Sequence, residues 1–99
     1  VDYNKVQLSG KVDDISLPGD IEEKFRVFGW YADTIDGHDF ASIESAVNAA
    51  KGQDKPAAII CNTVKGKGVS YMEGNYKWHG NAPGDELYEK AVLEINQGV

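Results

Sequence analysis

The period of polar and apolar positions changes several times along this chain, and each change marks an element. VDYNKVQL, residues 1–8, begins with the alternation of a short strand, and Ser9-Gly10 follows as a turn. KVDDISLPG, residues 11–19, has no period and reads as a loop punctuated by Pro18-Gly19. Asp20, with Glu23 three residues on, is a capping-box start. Ile21, Phe25 and Phe28 then share one helical face, and Gly29 stands at the C′ position. WYADTI, residues 30–35, is rich in strand formers, and Asp36-Gly37 turns the chain. Asp39 caps a second helix with Phe40, Ile43, Val47 and Ala50 at helical spacing; Lys51-Gly52 closes it with a cation and a C′ glycine. AAIIC, residues 57–61, is a continuous apolar run, the pattern of a strand buried on both faces. After a long glycine-rich stretch, Asp85 opens a last helix carrying Leu87, Tyr88, Ala91, Val92 and Ile95, with Gly98 beyond its end.

The order is strand, helix, strand, helix, strand, loop, helix. Such alternation predicts an α/β fold, a parallel sheet flanked by helices. Residues 1–99 show no internal boundary, repeat or low-complexity segment. A chain of 99 residues makes one domain and buries a smaller share of its surface than a longer one, which leaves room for a partner surface. Val1 leads directly into structured-looking sequence, as expected of a piece of something longer whose first strand has lost its neighbours.

Charge narrows the function. A net charge of −6 and a pI near 4.7 exclude a broad basic face, so neither nucleic acid nor a membrane surface is an expected partner. The single cysteine, Cys61, has no internal partner for a disulfide and fits a reducing, cytoplasmic setting. No apolar run approaches the roughly 18 residues of a membrane span.

Against that acidic background, KGKGVSYMEGNYKWHG, residues 65–80, carries three lysines and one glutamate. It leaves the third strand at the edge where open α/β sheets bind ligands. Gly66 and Gly68 allow backbone N–H groups to approach an anion, and Lys65 and Lys67 add charge. The same four residues also suit a solvated turn, and the Walker pattern is absent. His79, between Trp78 and Gly80, can carry a proton or donate to an anion; it can equally be a packed loop histidine. His38, in DGHD, reads as structural. His38 and His79 have no metal-ligand spacing, and one cysteine builds no zinc site. Asn4 suits a hard cation whose other ligands are phosphate and water, or simply a strand-end turn. The acid pairs Asp13-Asp14 and Glu22-Glu23 read as solvated charge and helix-dipole partners.

Taken in order, VDYNKVQLSG, FGWYADTIDGHD, KPAAIICNTVKGKGVSYME and WHGNAPGDELYEKA resemble transketolase, and most closely the amino-terminal subunit of bacterial split transketolases. The resemblance covers nearly the whole chain. It implies the carboxyl-terminal part of a thiamine diphosphate-binding module (the PP-module fold, here incomplete). The implied activity is transfer of a two-carbon ketol unit between sugar phosphates in the pentose phosphate pathway. A fragment of 1-deoxyxylulose-5-phosphate synthase, or a non-catalytic interaction module of the same fold, are the alternatives.

In that family the diphosphate is held through Mg²⁺ or Ca²⁺ by a motif running from Gly-Asp-Gly to an Asn. Asn4 matches that Asn, and Val6 the residue whose carbonyl also binds the metal. His79 matches the histidine at the diphosphate and donor sugar, its catalytic role. Lys65 and Gly66 lie where the loop passes the cofactor; many transketolases have an apolar residue in place of Lys65. Gly-Asp-Gly, the upstream histidines and the glutamate that activates the cofactor are absent, and Ser9 stands where an Asp is common. The implied partners are therefore the missing amino-terminal part of the module and a pyrimidine-binding module or subunit, in an oligomer. The 99 residues alone are expected to be inactive.

Overall fold

A computed structural model describes residues 1–16 and 18–98; Leu17, in the expected 11–19 loop, and Val99 lie outside the described residues. By their internal contacts the described residues fall into two compact units, residues 1–4 with 18–63, and residues 5–16 with 64–98.

The first unit is the sheet. β1 (Asp2–Tyr3), β4 (Tyr31–Asp36) and β5 (Ala57–Asn62) pair in the order β1-β5-β4, every pair parallel. The register sets Tyr31 beside Ala57 and Asp36 beside Asn62, and Asp2 beside Cys61. Parallel neighbours require crossovers, and helices α2 (Ile21–Val27) and α3 (Phe40–Lys51) supply them, both packing on β4 and β5. The expected parallel α/β sheet flanked by helices is what forms.

Both predicted caps are made. The Asp20 carboxylate accepts the Glu23 N–H at 2.9 Å, and Asp39 accepts those of Ala41 and Ser42 at 3.2 Å. Gly29 ends α2 with φ +85°, as a C′ glycine should. Gly52 does not repeat this. It is the C-cap of α3 itself, with φ −81°.

The core is smaller than the apolar spacing suggests. Ala32, Ala58 and Ile60 are buried together, with Tyr3, Ile21 and Phe25 packed against them. Phe28 and Phe40, expected on inward helical faces, are 83% and 87% exposed, and α3 buries Ala46 instead. β5 is buried at Ala58 and Ile60, while Ala57, Ile59 and Cys61 are half-buried, so it is not covered equally on both faces.

The second unit has little regular structure. The short strand expected at the start of VDYNKVQL ends at Tyr3. Lys5 takes φ +62°, which turns the chain, and β2 (Val6–Gln7) then pairs antiparallel with β3 (Gly10–Lys11). A left-handed non-glycine residue costs about 1–2 kcal/mol. One turn of helix, α1 (Val12–Ile15), follows where a loop was expected, its first N–H donating to the Lys5 carbonyl at 3.0 Å. The unit is completed by the 65–74 loop, a 3₁₀ turn (Tyr76–His79) and α4 (Asp85–Asn96). Val69 and Ala91 are its buried apolar residues among those described. The expected apolar face of α4 is otherwise largely exposed: Leu87 37%, Tyr88 60%, Val92 37% and Ile95 60%.

Candidate functional site

Asn4 belongs to the first unit, at the carboxyl end of β1, and is half-buried. Val6, Lys65, Gly66 and His79 belong to the second. Within that second unit, β2, which carries Val6, contacts the 3₁₀ turn that carries His79. Val6 and Lys65 are half-buried and His79 is exposed.

The 65–74 loop closes on itself. Its neck is the bond from Gly74 N–H to the Lys65 carbonyl at 2.9 Å. Inside it, Gly66 has φ +73°, and a Cβ there would lie 2.6 Å from Met72 Cβ and 2.8 Å from the Met72 backbone. Only glycine fits, for conformational and steric reasons together. That much agrees with the sequence. The use of the neighbouring amides does not. Lys67 N–H donates to Val64, Val69 N–H to Gly66, Gly68 N–H to the Glu73 carboxylate at 3.1 Å, and Ser70 N–H to the Glu94 carboxylate at 2.5 Å. These four donors are occupied by the protein's own acceptors. Lys67 also lies 3.9 Å from Glu73, which offsets part of its charge. The basic character that remains at the loop neck is that of Lys65.

His79 is placed through Trp78. The indole Nε1 donates to the Tyr71 carbonyl at 3.2 Å, and the two rings meet edge to face at 5.3 Å. Asn75 caps the turn by accepting the Lys77 N–H at 3.1 Å, and Asn81 donates to the Lys77 carbonyl at 2.6 Å. The turn that presents His79 is thus held from before and after.

Each unit has a cleft beside the elements that carry the candidate residues. In the first, about 310 Å³ opens beside the ends of β1 and β5, lined by Tyr3, Thr34, Ile60 and Asn62 together with Asp20, the N-cap of α2, and Glu22 of that helix. In the second, about 300 Å³ is lined by Gly68, Ser70, Glu73, Glu94, Gln97 and Gly98. Each contains two carboxylates and no cation, so neither suits a diphosphate by itself. His38, expected to be structural, sits in a turn where its N–H donates to Asp36 at 2.9 Å. The adjacent Gly37 donates to the Asn62 carbonyl at 2.8 Å.

Among the described residues, no three His, Cys, Asp or Glu side chains gather as a metal site. An Asn side chain and a backbone carbonyl are oxygen donors of the kind that suit Mg²⁺ or Ca²⁺. No helix of the described residues is long and apolar enough to cross a membrane.

Sequence reasoning missed Ser70, Tyr71, Glu73 and Glu94. The Ser70–Glu94 contact joins residues 24 apart with no motif between them, so no local pattern announces it.

Residues 1–96 match the family described as "Transketolase, thiamine diphosphate binding domain". The 6-deoxy-6-sulfo-D-fructose transketolase subunit SqwG of Clostridium sp. (strain MSTE9) is 42% identical over 97% of this chain and 35% of its own. One subunit of the apulose-4-phosphate transketolase of Phocaeicola vulgatus is 34% identical over 100% of this chain and 36% of its own. The solved transketolase of Campylobacter jejuni superposes with a TM-score of 0.87 at 32% identity, over 96% of this chain and 15% of that one. The chain thus spans about a third of the length of the two curated subunits.

Proposed function

The chain belongs to the transketolase family, within its thiamine diphosphate-binding domain, and from that premise we propose that it supplies part of the metal–diphosphate site of an enzyme that moves a two-carbon ketol unit between sugar phosphates. The observation that carries the reading is the presentation of His79. It is exposed at the end of a turn held by Trp78, in the unit whose β2 contributes Val6 and whose glycine loop has Lys65 at its neck.

Thiamine diphosphate, when bound, supplies the electron sink that ketol transfer requires. The chain's own residues bind and orient. The Asn4 side chain and the Val6 carbonyl would each offer an oxygen to Mg²⁺ or Ca²⁺, which would offset the charge of the diphosphate. Lys65 and Gly66 line the passage of the loop beside the diphosphate. His79 donates a hydrogen bond to a phosphate or donor-sugar oxygen. The activating glutamate and the first metal ligand belong to segments outside these residues. The working enzyme is then an oligomer with a pyrimidine-binding module or subunit, active in the cytoplasm.

The two subunit relatives are named for 6-deoxy-6-sulfo-D-fructose and for apulose 4-phosphate. The donor for this chain is a ketose of that general kind. The test is His79→Ala in the complete enzyme at saturating thiamine diphosphate and Mg²⁺, with xylulose 5-phosphate and ribose 5-phosphate. Loss of a proton-handling group should lower kcat about 10²-fold. Unchanged turnover would remove His79 from the site.

A further inference from the structure

α4 grips the glycine loop at three points on one face. Leu87, Lys90 and Glu94 lie at helical spacing, so they line up along the side of α4. The Leu87 carbonyl accepts the Tyr71 hydroxyl at 2.7 Å. Lys90 Nζ stands 5.6 Å from the Tyr71 ring centroid. Glu94 accepts both donors of Ser70, the N–H at 2.5 Å and Oγ at 2.7 Å. A two-oxygen, charge-assisted arrangement of this kind fixes orientation as well as distance. The Glu94 side chain is only 22% exposed, and Lys90 lies 3.7 Å from it.

What Glu94 holds leads to His79. Ser70 is followed by Tyr71, whose carbonyl accepts the Trp78 indole N–H and whose ring meets the Trp78 ring. Trp78 is followed by His79. The path contains one side-chain carboxylate, one tight loop and one indole, all in the second unit. We propose that Glu94 is a positioning residue for His79, acting through Ser70, Tyr71 and Trp78. The inference rests on the reading of His79 given above and goes beyond it by assigning a role to a helix residue that acts through the loop. The Ser70 donors hold the Glu94 carboxyl below its usual range, which agrees with a carboxylate engaged as an ion.

The test is a double-mutant cycle in the complete enzyme, read as the Kd of thiamine diphosphate with Mg²⁺. His79→Ala should weaken binding, Glu94→Ala should weaken it about three- to tenfold, and Glu94→Ala added to His79→Ala should change nothing more. Glu94→Gln keeps the shape and one acceptor, and should fall between wild type and Glu94→Ala. Ser70→Ala removes only the hydroxyl bond, retains the N–H bond, and serves if Glu94→Ala fails to fold. Its smaller effect should also vanish in the His79→Ala background. Hydrogen exchange at residues 76–80 should quicken in Glu94→Ala. If Glu94→Ala and Ser70→Ala weaken binding by the same factors with and without His79, or not at all, the positioning role is wrong. If His79→Ala itself leaves Kd and turnover unchanged, the reading of His79 fails first, and the two failures are told apart.

Discussion

In the first unit, Tyr31–Asp36 and Ala57–Asn62 run beside each other for six residues, and one short cluster of alanine and isoleucine packs under the helix above them. In the second, the 65–74 loop is held by side chains reaching for backbone and for one another: Glu73 to Gly68, Glu94 to Ser70, Trp78 to Tyr71. The sheet repeats one interaction many times, so removing a little of it costs little. The loop uses each interaction once, so single residues carry it. A chain that must hold a cofactor benefits from both, a tolerant frame and a loop whose geometry is set residue by residue.

The largest effect should therefore come from the loop. Gly66→Ala meets two penalties at once, a left-handed φ of +73° and a Cβ 2.6–2.8 Å from Met72. Backbone strain and overpacking together should cost about 2–5 kcal/mol. Denaturant unfolding of the complete protein measures the loss, and hydrogen exchange should localise it to residues 64–74. Exchange that quickens equally in the sheet would mean that the loop is no more brittle than the frame.

Gly37→Ala probes the point where the sheet unit is least forgiving. Its φ is ordinary, but a Cβ would lie 2.6 Å from Thr63 Cγ2, 2.8 Å from Cys61 Cβ and 3.1 Å from the Asn62 carbonyl. These are short side chains and backbone at the end of β5, with no flexible tip to swing aside. Overpacking of this sort costs about 1–3 kcal/mol. A smaller figure than for Gly66→Ala is expected, because no left-handed strain is added. Equal losses would show that crowding alone explains both.

Ile60→Val tests the tolerant frame directly. Ile60 is 2% exposed and is the largest fully buried side chain among the described residues. Removing one methylene should cost about 0.5–1.5 kcal/mol, with cofactor affinity unchanged. A loss as large as that of Gly66→Ala would erase the contrast between the units.

How much of this was legible beforehand follows the same division. The caps at Asp20 and Asp39 and the left-handed Gly29 could be read because each depends on residues close in sequence, and the parallel sheet because strands and helices alternate along the chain. The turn at Lys5 could not, since lysine carries no preference for φ +62° and something other than local propensity holds it there. Nor could the exposure of Phe28 and Phe40, because helical spacing says which residues share a face and not what covers that face. For the candidate site, Asn4, Val6, Lys65, Gly66 and His79 came from motif order. The clasp of Glu94 on Ser70 joins two elements and was visible only in three dimensions.

The smallest effect belongs to a cap, and its sign can be worked out. Asp39 has its carboxyl held below the usual value, first by the Ser42 hydroxyl at 2.6 Å, then by the Ala41 and Ser42 N–H groups, with burial opposing. A carboxyl whose pKa is lower folded than unfolded stabilises the fold once pH exceeds the unfolded value, near 3.8. That contribution is lost as pH falls through the lower, folded pKa. Asn caps a helix about as well as Asp but does not titrate. Asp39→Asn should therefore be slightly less stable than wild type at about pH 7, where Asp39 is ionised. The gap should close on acidification below about 3.8, as the wild-type carboxyl takes up its proton. Thermal unfolding of both proteins across that range measures the gap. A gap that stays constant with pH would mean that the Asp39 contribution is one of shape and not of charge. The capping end of α3 would then behave like the sheet it follows, indifferent to the ionisation of any one residue.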